Sequence, residues 1–328
     1  MWANSAFDAL VDEAVRCNRK FPKASASIDE KHLHRVFNRL VLEGRTRTAV
    51  RRVTDRDGGR PRLAHEVADP AISDHTVGQV LSEKHPEQKA ADHRAFMECD
   101  HLPDMYGIEV PERVVEKAAR SIQGSAGPVG GDSQCWGALL LKHGAASSRL
   151  RRAVGALAEK LANTLVEWEF LRALRSCRLI ALDKGGGKIR PIGIGETLFR
   201  IVGKSISAVT GDELSEACGI DQLCGGISAG IEAAIHSMTD KFEDSATQGM
   251  LMVDATNAFN VLSRPAALWN VRVLWPRAAR FLFNTYSGYA ELWSVGEQEP
   301  ILSKEGTTQG DPMAMMYAAA TLPLVKAL

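Results

Sequence analysis

An α+β fold is predicted by three features of this sequence. Apolar residues recur at helical spacing through its N-terminal half, residues 178–192 read as strand, glycine turn and strand, and an apolar run at 249–253 ends on an aspartate. The 328 residues suffice for two or three structural units. Hydrophobic residues make up 45% of the chain and charged residues 24%, and no apolar run is long enough to span a bilayer. This argues against a helical membrane protein, and no membrane is expected among its partners. Six cysteines show no paired short spacing, and the first residues read as an amphipathic helix rather than a signal peptide. The expected compartment is therefore reducing and intracellular, nuclear or cytoplasmic, with free thiols.

Taken in chain order, Phe7, Leu10, Val11, Ala14 and Val15 follow the pattern of a one-sided helix. So do Leu33, Val36, Phe37, Leu40 and Val41, with Ser27 and Glu30 at capping-box spacing before them. Arginines 45, 47, 51, 52, 56, 60 and 62 follow, around the turn signal Asp57-Gly58-Gly59, so residues 1–65 read as a helical unit with a basic exit. Residues 66–110 are polar and punctuated by prolines, and read as a linker carrying one short helix near Val77 to Lys84. Glu112 to Ile122 is the next helix. A loop, Ser125 to Asp132, then precedes an expected buried Trp136, and it lacks the lysine of a Walker phosphate loop. Leu150, Val154, Leu157, Ala158, Leu161 and Leu165 mark a long core-facing helix. The organisation expected from these signals is 1–65, 66–110, 111–210 and 211–328.

The formal net charge is zero, but phosphate binding depends on where cations sit. Residues 172–204 hold eight Lys and Arg against Asp183 and Glu196, a net +6. Within them, Arg178 to Asp183 and Ile189 to Ile192 form the expected hairpin, with a cationic tip at Lys184-Gly185-Gly186-Gly187-Lys188. Such a hairpin can fold over a polyphosphate or be an ordinary exposed basic turn. The helix after it, with Leu198, Ile201, Val202 and Ile206 on one face, anchors it to a core. His32, His34, Cys99 and His101 lack the spacing of a zinc site.

Gly249 to Val253 reads as a buried strand running into Asp254. An aspartate so placed needs a partner, either a divalent cation or the free N–H groups of a following helix. Glu305 to Pro312 is a polar turn before an apolar helix, Met313 to Leu322, with Asp311 at the N-cap and Pro312 in the first helical position. That leaves Gln309 and Gly310, where a small residue lets the backbone approach a ligand and an amide reaches a base or sugar edge.

The ordered segments LDKGGGKIRPIGIGETLFRIVGK, DQLCGGISAGIEAAIHSM, MLMVDATNAFN and EGTTQGDPMAMMYA resemble the motif blocks of reverse transcriptases of eukaryotic retrotransposons. LEGRTRTAVRRVTDRDGG, VGQVLSEKHPEQ and EKAARSIQGSAGPVGGDSQCW extend the resemblance upstream, so it covers most of the chain. It implies a right-hand polymerase fold, with a mostly helical N-terminal region, fingers and a partial palm, and no thumb. The activity implied is RNA-directed DNA polymerisation on an RNA template, with a DNA primer and dNTP, by two-metal phosphoryl transfer. Asp254 then corresponds to a catalytic metal ligand, with the carbonyl of Ala255 beside it. Lys184, Lys188 and Arg190 correspond to residues gripping the triphosphate, Phe259 to the aromatic beneath the sugar, and Gln309 and Gly310 to the motif beside the nucleotide. Two Mg²⁺ ions are implied for the complete enzyme. The remaining carboxylates of the family come from an aromatic-x-Asp-Asp hairpin, and no Asp-Asp pair occurs in these 328 residues. The expectation is a chain truncated before that motif and inactive alone, with an exposed apolar sheet edge in its palm. The alternative is a non-catalytic nucleic-acid-binding relic.

Overall fold

The computed structural model describes residues 30–44, 46, 49–50, 61–69, 73–184, 188–223, 229–244, 249–250, 252–295, 297–308 and 310–327. It is of mixed helix and strand, as an α+β class requires. Two compact units, 1–59 and 60–328, divide the chain. The helix over 7–15, Ser27, most of the arginine stretch, the Asp57-Gly58-Gly59 turn, the glycine triplet and Gln309 lie outside the described residues. In the first unit, helix α1 (Glu30–Leu42) matches the expected apolar repeat, with Leu40 buried and Val36 and Phe37 half-buried, and it gives way to Gly44 in the left-handed region (φ 72°).

The second unit begins with strands β1 (Pro61–Arg62), β2 (Val67–Asp69) and β3 (Ser73–Thr76) and helix α2 (Val77–Glu83). A capping box starts α2: the Thr76 hydroxyl accepts from the Gln79 N–H at 3.2 Å, and the Gln79 amide accepts from the Thr76 N–H at 2.8 Å. Residues 66–110 are therefore no linker. Val77 and Leu81 are buried against the sheet, the Met97 N–H donates to the Asn270 amide, and Asn270 in turn donates to the carbonyl of Ala95. Composition suggested a linker because most of this stretch is irregular, and irregular chain can still pack when buried amides such as Asn270 satisfy it.

Helices α3 (Glu112–Ser121), α4 (Ser133–Leu141), α5 (Gly144–Asn163) and α6 (Trp168–Arg175) follow. Then come strands β4 (Cys177–Asp183) and β5 (Ile189–Gly195), helices α7 (Thr197–Cys218), α8 (Gly230–Glu243), α9 (Ala258–Val261), α10 (Arg264–Leu274) and α11 (Pro276–Tyr286), strands β6 (Ala290–Ser294) and β7 (Ile301–Ser303), and helix α12 (Met316–Lys326). β4 alternates buried Cys177, Leu179 and Ala181 with half-exposed neighbours, as a one-sided strand must. It pairs antiparallel with β5 along its whole length, from Cys177 opposite Gly195 to Asp183 opposite Ile189. Its other edge is shared by β1, antiparallel at Ala181 and Leu182, and β6, parallel at Cys177 to Leu179, with β7 beyond β6.

Two cores result. One is small and lies between this sheet and α2. The larger is helical and is built on α7, whose Phe199, Ile201, Val202, Ile206 and Leu214 are all buried. Buried hydroxyls of Ser205 and Thr210 donate to carbonyls four residues back, and the Trp275 indole donates to the carbonyl of Thr210 at 2.7 Å, so these three polar groups of the core are satisfied. Trp136, expected to be buried, is half-buried. The 125–132 loop is pinned by the start of α7: the Val129 N–H donates to the Glu196 carboxylate and Thr197 donates to the Gly131 carbonyl.

The run before Asp254 departs from expectation. Residues 249–250 and 252–255 form no strand, and Met252 and Val253 are 84% and 75% exposed. An apolar run gains from an extended conformation only when neighbouring strands take up its N–H and C=O groups, and no described strand lies beside it. The expected exposed apolar sheet edge is not seen among the described residues; Met252 and Val253 are exposed on irregular backbone instead. The last helix begins at Met316, after turns over 312–315, rather than at Met313.

Phe281 is fully buried and stacks on Phe199 with ring centroids 5.9 Å apart. Phe281→Ala is expected to lower the free energy of unfolding by about 3–5 kcal/mol. Urea unfolding monitored by circular dichroism checks this, and a loss below about 1 kcal/mol would contradict the packing.

Candidate functional site

The turn over 305–312 organises the site, and two buried arginines hold it. Arg264, at the start of α10, is 3% exposed. Its guanidinium donates to the carbonyls of Gly288, Ser303, Glu305 and Gly306 and to the Ser303 hydroxyl, and its own N–H donates to the Glu305 carboxylate at 2.7 Å. Burial pulls its pKa down to about 10. Arg175, at the end of α6, grips the other end of the turn. It donates to Asp311 at 3.0 Å, with both side chains almost inaccessible, and to the carbonyl of Thr285 at 2.9 Å. Its guanidinium carbon lies 4.3 Å from the Phe199 ring centre and 4.6 Å from that of Tyr286.

Asp311 is fully engaged. One oxygen takes Arg175 and the Tyr286 hydroxyl, the latter at 2.7 Å, and the other accepts from the Met313 N–H at 2.8 Å. The expected N-cap role is not met, because α12 starts at Met316 with Met315 before it and no side-chain cap; Asp311 accepts within the preceding turns, and the larger part of its environment is the buried pair. Burial, followed by the Asp311 charge, raises the Tyr286 phenol far above its ordinary range, so it stays a neutral donor.

Between these anchors the turn touches both other motif segments. Thr308 packs on Gly193 of β5, where a Cβ would lie 2.5 Å from the threonine methyl. Gly310 takes φ 97°, a conformation that itself calls for glycine, and it lines a cleft of about 220 Å³ together with Gly193, Gly195, Cys177 and Arg175. Upstream, the Thr307 N–H donates to the Phe259 carbonyl at 2.7 Å and the Gly306 N–H to the Leu262 carbonyl at 2.8 Å. Phe259 is held beside Tyr317, ring centres 5.2 Å apart, with its free edge exposed. Burial first and the charge of Asp254 second raise the Tyr317 phenol, so Asp254 lies within electrostatic reach of the start of α12.

The sequence-predicted residues are therefore partly gathered. Gly310, Phe259 and the hairpin strand meet through the 305–312 turn, and Asp254 is felt at Tyr317. Asp254 and Ala255 are exposed on irregular backbone, and Gln309 is outside the described residues. Lys184, Lys188 and Arg190 are exposed at and beside the hairpin tip, closed by the Lys184 N–H donating to the Lys188 carbonyl. None of the three lines the cleft, and neither do Asp254 and Phe259. Arg190 is three residues from Gly193, or about 10 Å along the strand.

The remaining cations of 172–204 are largely committed elsewhere. Arg172 pairs with Glu291, Arg200 donates to the carbonyls of Gln123 and Ser125, and Lys204 donates to that of Ser121. Arg62 of the upstream arginine stretch pairs with Glu66 and Asp183. Among the described residues no three His, Cys, Asp or Glu side chains stand close enough to share an ion. Arg264 and Tyr286 carried no signal in the sequence, and Arg175 and Glu305 stood out only as members of the basic segment and the polar turn; a buried arginine leaves the same mark in an amphipathic pattern as an exposed one.

Asp311→Ala strips Arg175 of its counter-charge and Tyr286 of its acceptor, and a loss of about 3–5 kcal/mol is expected in chemical denaturation. The double replacement Arg175→Met with Asp311→Leu should recover most of it, and additive losses in that cycle would contradict a coupled pair. Cys177 supplies a pH signature. Burial raises its thiol from 9.0 to about 11, so the folded state holds a proton that the unfolded state loses first. Stability should fall as pH rises from 9 to about 11, and Cys177→Ala should flatten that slope. Thermal unfolding against pH reads the difference.

No protein-family model matches the chain, and no curated protein matches it.

Proposed function

We propose that this chain is the fingers and first part of the palm of a reverse-transcriptase-like polymerase, in which dNTPs are added to a primer 3′-hydroxyl on an RNA template. The observation that carries the reading is the 305–312 turn, fastened at once to the hairpin strand through Thr308 and Gly193 and to the Phe259 segment through Thr307. Three segments picked out separately for nucleotide chemistry are thereby neighbours. In this reading Lys184, Lys188 and Arg190 attract the triphosphate or strand phosphates, Phe259 limits the room beneath the sugar, and Gln309 and Gly310 face the nucleotide. Charge at the exposed tip acts over a distance set by screening, so it draws in phosphates without a preformed pocket.

The reaction class uses two Mg²⁺ ions, and the donor set here does not fit two. Each ion needs near-octahedral oxygen coordination, and Asp254 with the Ala255 carbonyl supplies too few ligands. The two carboxylates of the turn are spent as well, Asp311 on Arg175 and Tyr286 and Glu305 on the N–H groups of Arg264 and Lys89. Asp254 accordingly counts as one ligand of a site that needs further carboxylates. This isolation also favours the second reading, a nucleic-acid-binding relic that does not polymerise.

Primer extension with the 328-residue chain on an RNA template, beside Asp254→Asn, tests the proposal. The chain alone is expected to bind template–primer with steep salt dependence and to leave the primer unextended. Lys188→Gln and Arg190→Gln should each lower the log–log salt slope by about 1. Binding that ignores salt, or extension undiminished by Asp254→Asn, overturns it.

A further inference from the structure

We infer that a groove between α10, α11 and the 88–105 segment binds single-stranded nucleic acid, stacking bases on its aromatic rings and holding phosphates with Arg272 and Arg280. The inference rests on the reading of the chain as a nucleic-acid-handling protein, and it adds a contact made by residues outside the hairpin and the 305–312 turn.

The groove has a volume of about 680 Å³, within the range of roughly 300–1,000 Å³ usual for ligand pockets. Four rings line it. Phe96 and Trp269 are half-buried, and the Trp269 indole is fixed by donating to the Met97 carbonyl at 2.8 Å. Phe283 and Tyr289 are 44% and 38% exposed, more than large aromatics in a finished core.

The charge is one-sided. No described lining residue is Asp or Glu, and neither Arg272 nor Arg280 has an ion-pair partner among the described residues. The Nη1 of Arg272 is buried without a hydrogen-bond acceptor. A guanidinium nitrogen withdrawn from water and left unpaired is costly. Arginine beside several half-exposed rings, with no carboxylate, is the combination that tracks a single strand: guanidinium takes phosphate oxygens in pairs, and rings take base faces irrespective of sequence. An acidic amphipathic peptide would also meet the arginines. Flat ligands are favoured over it because four rings surround one groove and offer π faces that aliphatic side chains do not use.

The test uses the whole 328-residue chain, a short uridine-rich single strand carrying 5-iodouridine, an abasic strand of equal length, and an acidic amphipathic peptide. Irradiation followed by peptide mapping should place cross-links on Trp269, Phe283 or Tyr289. In anisotropy titrations the abasic strand should bind about tenfold more weakly, as the loss of base stacking requires. Phe283→Ala should abolish that difference and Arg280→Gln should lower the salt slope by about 1. Both residues reach the surface, and Tyr289→Leu serves as a second variant if either fails to fold. Cross-links confined to other segments, equal binding of the abasic strand, or a Phe283→Ala effect on the peptide alone overturns the inference. Extension undiminished by Asp254→Asn bears on the polymerase reading only, whereas salt-dependent binding without base dependence bears on the groove only.

Discussion

A guanidinium with no access to water must find every hydrogen bond inside the protein, and Arg175 finds them in pieces of chain far apart in sequence. Its partners are Asp311 and the carbonyl of Thr285, and its faces lie over Phe199 and Tyr286. Through that one side chain the end of α6, the start of α7, the end of α11 and the 305–312 turn share a single arrangement. Buried ion pairs add little net stability against an apolar replacement, but half of one is strongly destabilising, so the pair acts as a constraint on which arrangements are allowed. The turn cannot shift from β5 without uncovering a charge.

Arg264 does a neighbouring task by a different route. It spends its donors mostly on main-chain carbonyls between Gly288 and Gly306, where the backbone leaves β7 and has no regular partner. The two arginines thus fix the two ends of one irregular segment, and what lies between them, Thr307 and Thr308, is free to bridge the hairpin and Phe259. An irregular loop held this way can present backbone and glycine to a ligand with the definition usually associated with strands.

Much of this was legible in the sequence. The apolar repeats of Leu33 to Val41 and Leu150 to Leu161, the short helix near Val77 to Lys84, and the strand–glycine–strand pattern around Lys184 are local properties, and the structure carries helices and a hairpin there. Strands β1, β6 and β7 were not legible, because two to five residues carry too little pattern and are defined by pairing, β1 and β6 with β4 and β7 with β6. Met252 and Val253 mark the opposite failure: an apolar run states a need for burial without naming what covers it. At the site, Gly310 was visible for its size, whereas its left-handed backbone and the arginines behind it depend on contacts from other parts of the chain.

The partner of Arg175 lies 136 residues further along the chain. The parallel partner of β4, strand β6, is also more than a hundred positions away, so a large share of the ordering contacts are distant in sequence. At a synthesis rate of roughly 5–20 residues per second, about 7–27 s separate the emergence of the two charges from a ribosome. Through most of that interval the nascent chain has Arg175 without its counter-charge and the Cys177 to Leu179 part of one β4 edge without β6. Burying Arg175 before Asp311 emerges would leave a charge unpaired, so final packing around Arg175 is expected to follow the emergence of Asp311.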